Sequence, residues 1–483
     1  MDASAWASQK RQTRYTARMA HLVHHSLRTE TDSFGPIQLP ADALWGVQTA
    51  RSLHFFAIGT QRMPLELIHA MAWIKWAAAL VHADLALLDA RKAAAIAKAA
   101  QRVAIGEFDA QFPLSVWQTG SGTQSNMNVN EVIASLASQT RSSASSGRSI
   151  HPNDDVNLGQ SSNDVFPTAM HIAAMQMMYS RLLPSLEQLH AALVGHAEEF
   201  SEVMKIGRTH WQDAIPIALG QEFGGYAAQL ALCQDSIVHA LPAVSALAIG
   251  GTAVGTGFNT DPEFGTRVAQ KLSRQLGIPF FQADNLFAAM AGHEALVALH
   301  GSLKMLAVAL TKIANDIRLM GSGPRAGLAE LRLPQNEAGS SMMPGKVNPT
   351  QVEALTMVCA QVMGHDVAIG LAASQGHFEL NVYKPLIALN VLDSIRLLAD
   401  AMHSFHQHCI SGLQANARRM QDTLQSSLML VTALTPHIGY DRAATIARRA
   451  QSEATSLREA AIALGYVSAA QFDAWVDTRA MHN

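Results

Sequence analysis

Apolar residues recur at spacings of three and four along most of the chain, and the longest such runs contain few helix breakers. The pattern predicts long helices at about 167–202, 215–247, 285–320, 349–373 and 384–420. The third, spanning about 36 residues at ~1.5 Å rise, would be ~54 Å long. Helices of that length form an extended bundle whose apolar stripes exceed what one small core covers, so they predict pairing with other subunits. Upstream, a helical pattern from about Leu65 to Gly106 breaks near Asp89, and the turn-rich text from Thr29 to Thr60 predicts a compact, non-repetitive cap. Shorter patterns at 440–450 and 456–464 predict a small helical domain at the C-terminus. The expected organisation is all-α: an extension over 1–27, an N-terminal domain over 28–162, a central long-helix domain over 163–418 and a C-terminal domain over 419–483. The extension carries Lys10, Arg11, Arg14 and Arg18 against Asp2 alone and has no apolar period, so it reads as disordered. A transit peptide, an ordinary extension and a start before Met19 all stay open there.

Composition sharpens this picture. With 49% hydrophobic, 15% charged and 6% aromatic residues among 483, the helices are expected to bury more than one face. A net charge of −3 supplies no footprint for nucleic acid or an anionic membrane surface. Cys233, Cys359 and Cys409 are far apart in apolar text and read as reduced core residues, which points to a reducing compartment. The longest uncharged run, Ser236 to Thr260, contains His239 and Pro242 and ends in a glycine cluster, so it is not read as a membrane span. The expectation is a soluble, cytoplasmic protein.

The connections between the long helices hold the polar chemistry. Gly339 to Glu353 reads as a flexible loop feeding a helix, with Asn348 as N-cap and Pro349 at the first helical position. Lys346 is the only full charge between Gly339 and Gln351, beside a helix N-terminus, which suits a carboxylate or phosphate. A solvated surface loop is the other reading of those residues. Gly120 to Asn128 offers hydroxyls and amides without charge, an inventory for orienting a polar ligand or for a plain turn. Ser161-Ser162-Asn163-Asp164 precedes the long helix placed at Pro167, where capping alone explains at least one residue. Thr209-His210 sets an imidazole after a Gly-Arg turn, and a structural histidine is the alternative there. His151-Pro152-Asn153-Asp154-Asp155 has metal-ligand residue types but no ligand spacing, so no metal is expected.

Together these segments, in this order and spacing, resemble the class II fumarate hydratases of the fumarase/aspartase superfamily from about Thr29 to Met481. Gly339–Asn348 is similar to the superfamily signature, and Gly345-Lys346 with Pro349-Thr350-Gln351 to its fumarase version. Gln335, Ala338, Leu158-Gly159, His377 and Thr478 depart from the family text, and none of these positions has an assigned chemical role. The resemblance implies a three-domain subunit whose central bundle of five long helices assembles into a homotetramer with active sites shared among three subunits. It implies reversible hydration of fumarate to L-malate through an aci-carboxylate intermediate, with no cofactor. It further implies Ser340 as general base, His210 with Glu353 as a second acid–base pair, and Lys346 as electrostatic donor. Ser121, Thr123, Asn126, Ser161, Ser162, Asn163, Thr209, Ser341 and Asn348 would then hold the substrate, and Arg148, His151, Asn153 and Asp154 a second anion. The location implied is the cytoplasm, or the mitochondrial matrix if the extension is a transit peptide. An aspartate ammonia-lyase and a catalytically retired, crystallin-like protein are the competing readings; His210 and Gly345 stand where the former usually has Gln and Ala.

Overall fold

The computed structural model describes residues 26–141 and 150–481, without the side chains of Thr140 and Arg141. The extension up to residue 25 and Arg148 lie outside the described residues. The chain forms two compact units. Of the described residues, one comprises those up to Gln176 with Pro242–Val297 and Ala368–Leu392; the other comprises Met177–Leu241, Ala298–Val367 and those from Asp393 to Met481. The divisions fall inside the long helices.

The first unit opens with an antiparallel hairpin, β1 (Leu27–Asp32) and β2 (Gly35–Pro40), in register from Leu27 opposite Pro40 to Asp32 opposite Gly35. Helix α1 (Val47–Phe55) follows. The expected non-repetitive cap is thus a hairpin and a helix, with Ile37 and Leu39 two residues apart on the more buried face of β2. Helix α2 (Leu65–Asp84) is apolar on nearly every side and buries Leu67, Ile68, Met71, Ile74, Ala78 and Val81. The predicted break at Asp89 is an N-cap: its carboxylate accepts the amides of Arg91 and Lys92 at 3.1 and 3.0 Å, starting α3 (Ala90–Ala104). Then come α4 (Thr123–Arg141) and α5 (Ser162–Met177). Helix α5 begins five residues before the expected Pro167, which lies inside it.

In the second unit, the run expected as one helix from 167 to 202 passes through a π turn at Met178–Leu182 into α6 (Leu183–Glu199). An antiparallel hairpin, β3 (Met204–Thr209) with β4 (Gln212–Ala218), then takes residues that the helical period had assigned from 215 onward. Helix α7 (Leu219–Val244) starts only where that pairing ends. Helix α8 (Phe264–Leu276) belongs to the first unit. The predicted 285–320 helix is two: α9 (Leu286–Ala291) stops at Gly292, and α10 (Glu294–Met320) runs 27 residues, ~40 Å at the usual rise. Helix α11 (Thr350–Ala373) agrees with expectation, whereas 384–420 divides into α12 (Lys384–Phe405), a π turn and α13 (Ala417–Ser426), separated at Gly412 with φ of 90°. The C-terminal helices α14 (Tyr440–Glu453), α15 (Leu457–Ala463) and α16 (Ala469–Trp475) bury Ile446, Leu457 and Phe472 in one cluster with Ile206 of β3 and Leu424 of α13. Cys233, Cys359 and Cys409 are free thiols, all buried.

Candidate active site

The candidate residues fall into two groups, one in each unit. In the first unit, Gly120 and Gly122 let the chain enter α4 closely packed. A Cβ on Gly120 would lie 1.3 Å from the Val382 carbonyl oxygen, and Gly122 has φ of 78° with Phe166 filling the space a side chain would need. That approach lines up three hydroxyls: Ser121 Oγ is 2.9 Å from Thr123 Oγ1, which is 2.7 Å from Ser162 Oγ. Ser161 Oγ accepts the Asn163 amide N–H at 3.2 Å, and Asn163 Nδ2 donates to the Ala253 carbonyl at 2.8 Å. Asn126 points inward, its Nδ2 donating to Asn157 Oδ1 at 3.1 Å.

Asp164 organises this group. Its Oδ1 accepts the Ser161 N–H at 2.9 Å, while its Oδ2 accepts those of Gly250 and Thr252, each at 3.0 Å. One carboxylate therefore fastens the serine turn to the glycine-rich 250–257 loop. Burial pushes its pKa up to about 6, against the pull of the three backbone donors. Helix capping is the only role the sequence offered this residue; the distant loop it also serves left no local signal.

The proposed second anion site begins at an exposed turn. His151 Nδ1 accepts the Asp154 N–H at 3.1 Å, and the His151 N–H donates to Asp155 Oδ2 at 2.8 Å. Lys92 Nζ holds Asp155 Oδ1 at 2.6 Å. His151, Asn153 and Asp154 are all exposed, while Arg148 lies outside the described residues.

In the second unit, His210 occupies the tip of the β3–β4 hairpin. Thr209 pairs with Gln212, so His210 and Trp211 form a two-residue turn with φ of 55° and 63°, the left-handed geometry of a tight hairpin. Thr209 and His210 are exposed. The hairpin's base is fixed by buried charge: Arg208 donates to both oxygens of Glu330, at 2.6 and 3.0 Å, and Lys205 Nζ lies 2.7 Å from Glu222 and 3.2 Å from Glu330. Sequence reasoning missed Glu330, which lies 122 residues beyond its arginine.

The signature loop is held by its own backbone. Ser340 Oγ accepts the N–H groups of Met342 and Met343 at 3.2 and 3.0 Å, and Asn348 Nδ2 donates to the Gly339 carbonyl, closing the loop at its base. Asn348 is therefore a loop clasp instead of the expected N-cap. Helix α11 begins at Thr350, and the Pro349 carbonyl accepts the Val352 and Glu353 N–H groups at 3.0 and 3.2 Å. Ser341 and Lys346 are exposed, and Glu353 stands exposed in the first turn of α11. Among the described residues, no hydrogen bond or ion pair joins His210 to Glu353, and the Lys346 ammonium has no partner. Two donors on Ser340 Oγ favour a hydroxyl with developing negative charge.

A mainly helical fold with an uncharged hydroxyl–amide cluster and a lone-lysine loop fits a lyase, and the likeness to known proteins gives that class. Residues 35–364 match the family profile described as Lyase, and residues 430–483 the one described as Fumarase C C-terminus. A fumarate hydratase class II from Chromobacterium violaceum is 61% identical over 452 residues, covering 93% of this chain and 98% of that one. One from Thermosynechococcus vestitus is 59% identical over 93% of this chain and 96% of its own length. The crystal structure of recombinant class II fumarase from Schistosoma mansoni superposes with a TM-score of 0.92 at 46% identity, over 94% of this chain and 99% of that one. The chain belongs to the class II fumarate hydratases.

Proposed function

We propose that this protein adds water reversibly to fumarate to give L-malate, in the cytoplasm, as a homotetramer. The observation that carries the reading is the family match over residues 35–364, which spans every candidate residue from Ser121 to Glu353. The difficult step is removal of a proton from the carbon beside a carboxylate. Its charge must spread into that carboxylate as a dianionic aci-form, so fixed positive charge and donors provide most of the catalysis. Lys346 and Asn348 meet that carboxylate. Ser340, whose oxygen already accepts two backbone N–H groups, takes the proton. His210 and Glu353 position the water and assist departure of hydroxide, while Ser121, Thr123, Asn126, Ser161, Ser162, Asn163, Thr209 and Ser341 hold the substrate. The exposure of His210, Lys346 and Glu353 within one chain supports sites completed by neighbouring subunits. So do the exposed Leu232, Val308, Met357, Val367 and Leu371 on α7, α10 and α11, and only 28% of the most apolar stretch of α11 is buried. The test is loss of fumarate's ultraviolet absorbance on addition of the purified protein, with malate as product. Inertness toward fumarate, or release of ammonia from aspartate instead, overturns the assignment.

A further inference from the structure

Helix α2 carries one charged residue between Glu66 and Asp84, Lys75, and its side chain is fully buried. Among the described residues, its ammonium has no carboxylate in hydrogen-bonding contact. Instead Nζ donates to Asn157 Oδ1 at 2.8 Å and to Gln160 Oε1 at 3.0 Å. A lysine has only donors, so the atom of Asn157 facing it must be the oxygen. That oxygen also takes Asn126 Nδ2 and Asn130 Nδ2, each at 3.1 Å, while Asn157 Nδ2 donates to the Gln160 carbonyl at 3.1 Å. Gln160 is fixed in the same way: its Oε1 faces the ammonium, and its Nε2 donates to the carbonyls of Val156 and Leu158. The orientations of four amides follow from one charge.

We propose that Lys75 is a positioning residue of the dicarboxylate pocket, tying the first turn of α4 and the Ser161–Asn163 turn to a single buried ammonium. The proposal rests on the fumarate-hydratase reading. Asn126 lies three residues beyond Thr123, and Gln160 directly precedes Ser161, so both hydroxyl-bearing segments hang from the Lys75 network. The Thr123–Ser162 hydrogen bond joins those segments at their other side. Among the described residues, the charge that acts on the Lys75 ammonium is Asp164 on α5, while its hydrogen-bonding network of Asn126 and Asn130 on α4 and Asn157 and Gln160 in the loop is neutral. Burial lowers the ammonium's pKa to about 7, partly countered by Asp164. A bound dianion favours the protonated form, so binding should weaken as pH rises through neutrality.

The experiment uses Lys75→Met in the full-length protein, with succinate as an unreactive dicarboxylate probe followed by calorimetry, beside steady-state kinetics with fumarate. The expected result is a succinate Kd and a fumarate KM each raised about tenfold, the scale of a lost charge-assisted hydrogen bond, with kcat within about threefold. The weakening of succinate binding with rising pH expected of the parent should be shallower in the variant. A Kd within about twofold of the parent, or a loss confined to kcat, overturns the proposal; the twofold margin is well below one hydrogen bond's worth. If Lys75→Met does not assemble, Gln160→Met removes one tie and leaves the charge. It is expected to raise Kd about threefold, the low end for one hydrogen bond, and an unchanged Kd then overturns the proposal. A parent protein inactive on fumarate is a separate failure, that of the functional reading.

Discussion

At the scale of single residues, the loop from Gly339 to Asn348 makes the sharpest demands. Ser340→Ala removes the proposed proton acceptor and Lys346→Ala the exposed charge. Each is expected to lower kcat at least ~10²-fold in a fumarate assay while gel filtration shows the same assembly, because loss of a base or a major electrostatic donor costs about that much. His210 and Glu353 have no bond to one another within the chain, so their partnership is a matter for kinetics. If they act as one unit across subunits, the losses in His210→Asn and Glu353→Gln will not add in the double variant. Additive losses in that cycle would mean two independent roles. Lys346, Ser340 and His210 could be singled out in sequence as candidates because each sits in a local pattern of glycines, hydroxyls or turn residues, and the variants above test what they do. Lys75, Asp164 and Glu330 act across long separations, and a window of a few residues cannot show which distant group a buried charge serves.

Elements tell a similar story. Period-3.6 patterning found the cores of α7, α10, α11 and α12, yet it ran through Gly292 and Gly412, where the backbone leaves the helix. It also took the end of β4 for helix, since Ile215 and Ile217 satisfy a strand's alternation while Ile215 and Leu219, the first residue of α7, stand at a helical spacing. Pairing with β3 decided the matter, and that is a tertiary fact. The same dependence on a distant partner governs the loop before α4. Gly120→Ala would place a methyl group on the Val382 carbonyl. The loop must move to accept it, so thermal denaturation should show a loss of at least ~2 kcal/mol. The fumarate KM should rise as Ser121 and Thr123 shift. A variant as stable as the parent would mean that the Val382 segment yields easily.

For the whole molecule, two expectations concern assembly and acid. Mixing subunits of inactive Ser340→Ala with inactive His210→Asn, after brief dissociation, should regenerate part of the activity if those residues reach one site from different chains; mixtures as inactive as their parents would argue for sites made by one chain. Acid stability follows from buried imidazoles. His82, His171, His293, His300 and His365 all have pKa values lowered chiefly by burial, His82 to about 4. Above pH 6.5 both folded and unfolded forms are neutral at these sites. As pH falls below that value the unfolded chain gains protons first, so stability drops progressively toward pH 4. Asp164 and Glu131, whose carboxyl pKa values burial raises, act in the opposite sense, but the lowered imidazoles outnumber them. The melting temperature is therefore expected to fall by on the order of 5 °C or more between pH 7 and 5, measured by calorimetry; a flat profile would mean that these rings are solvated in solution.

The buried thiols have a consequence of a different kind. Fumarate is an electron-poor alkene, and alkenes of that type add thiolates irreversibly, so an enzyme working in its presence risks alkylation by its own substrate. Burial pushes Cys233 and Cys359 up to about 11 and Cys409 up to about 12. At neutral pH only about one thiol in 10⁴ or fewer is in the nucleophilic form, and no cysteine side chain is exposed to meet the reagent. The fold thereby leaves its thiols unreactive toward the electrophile it handles.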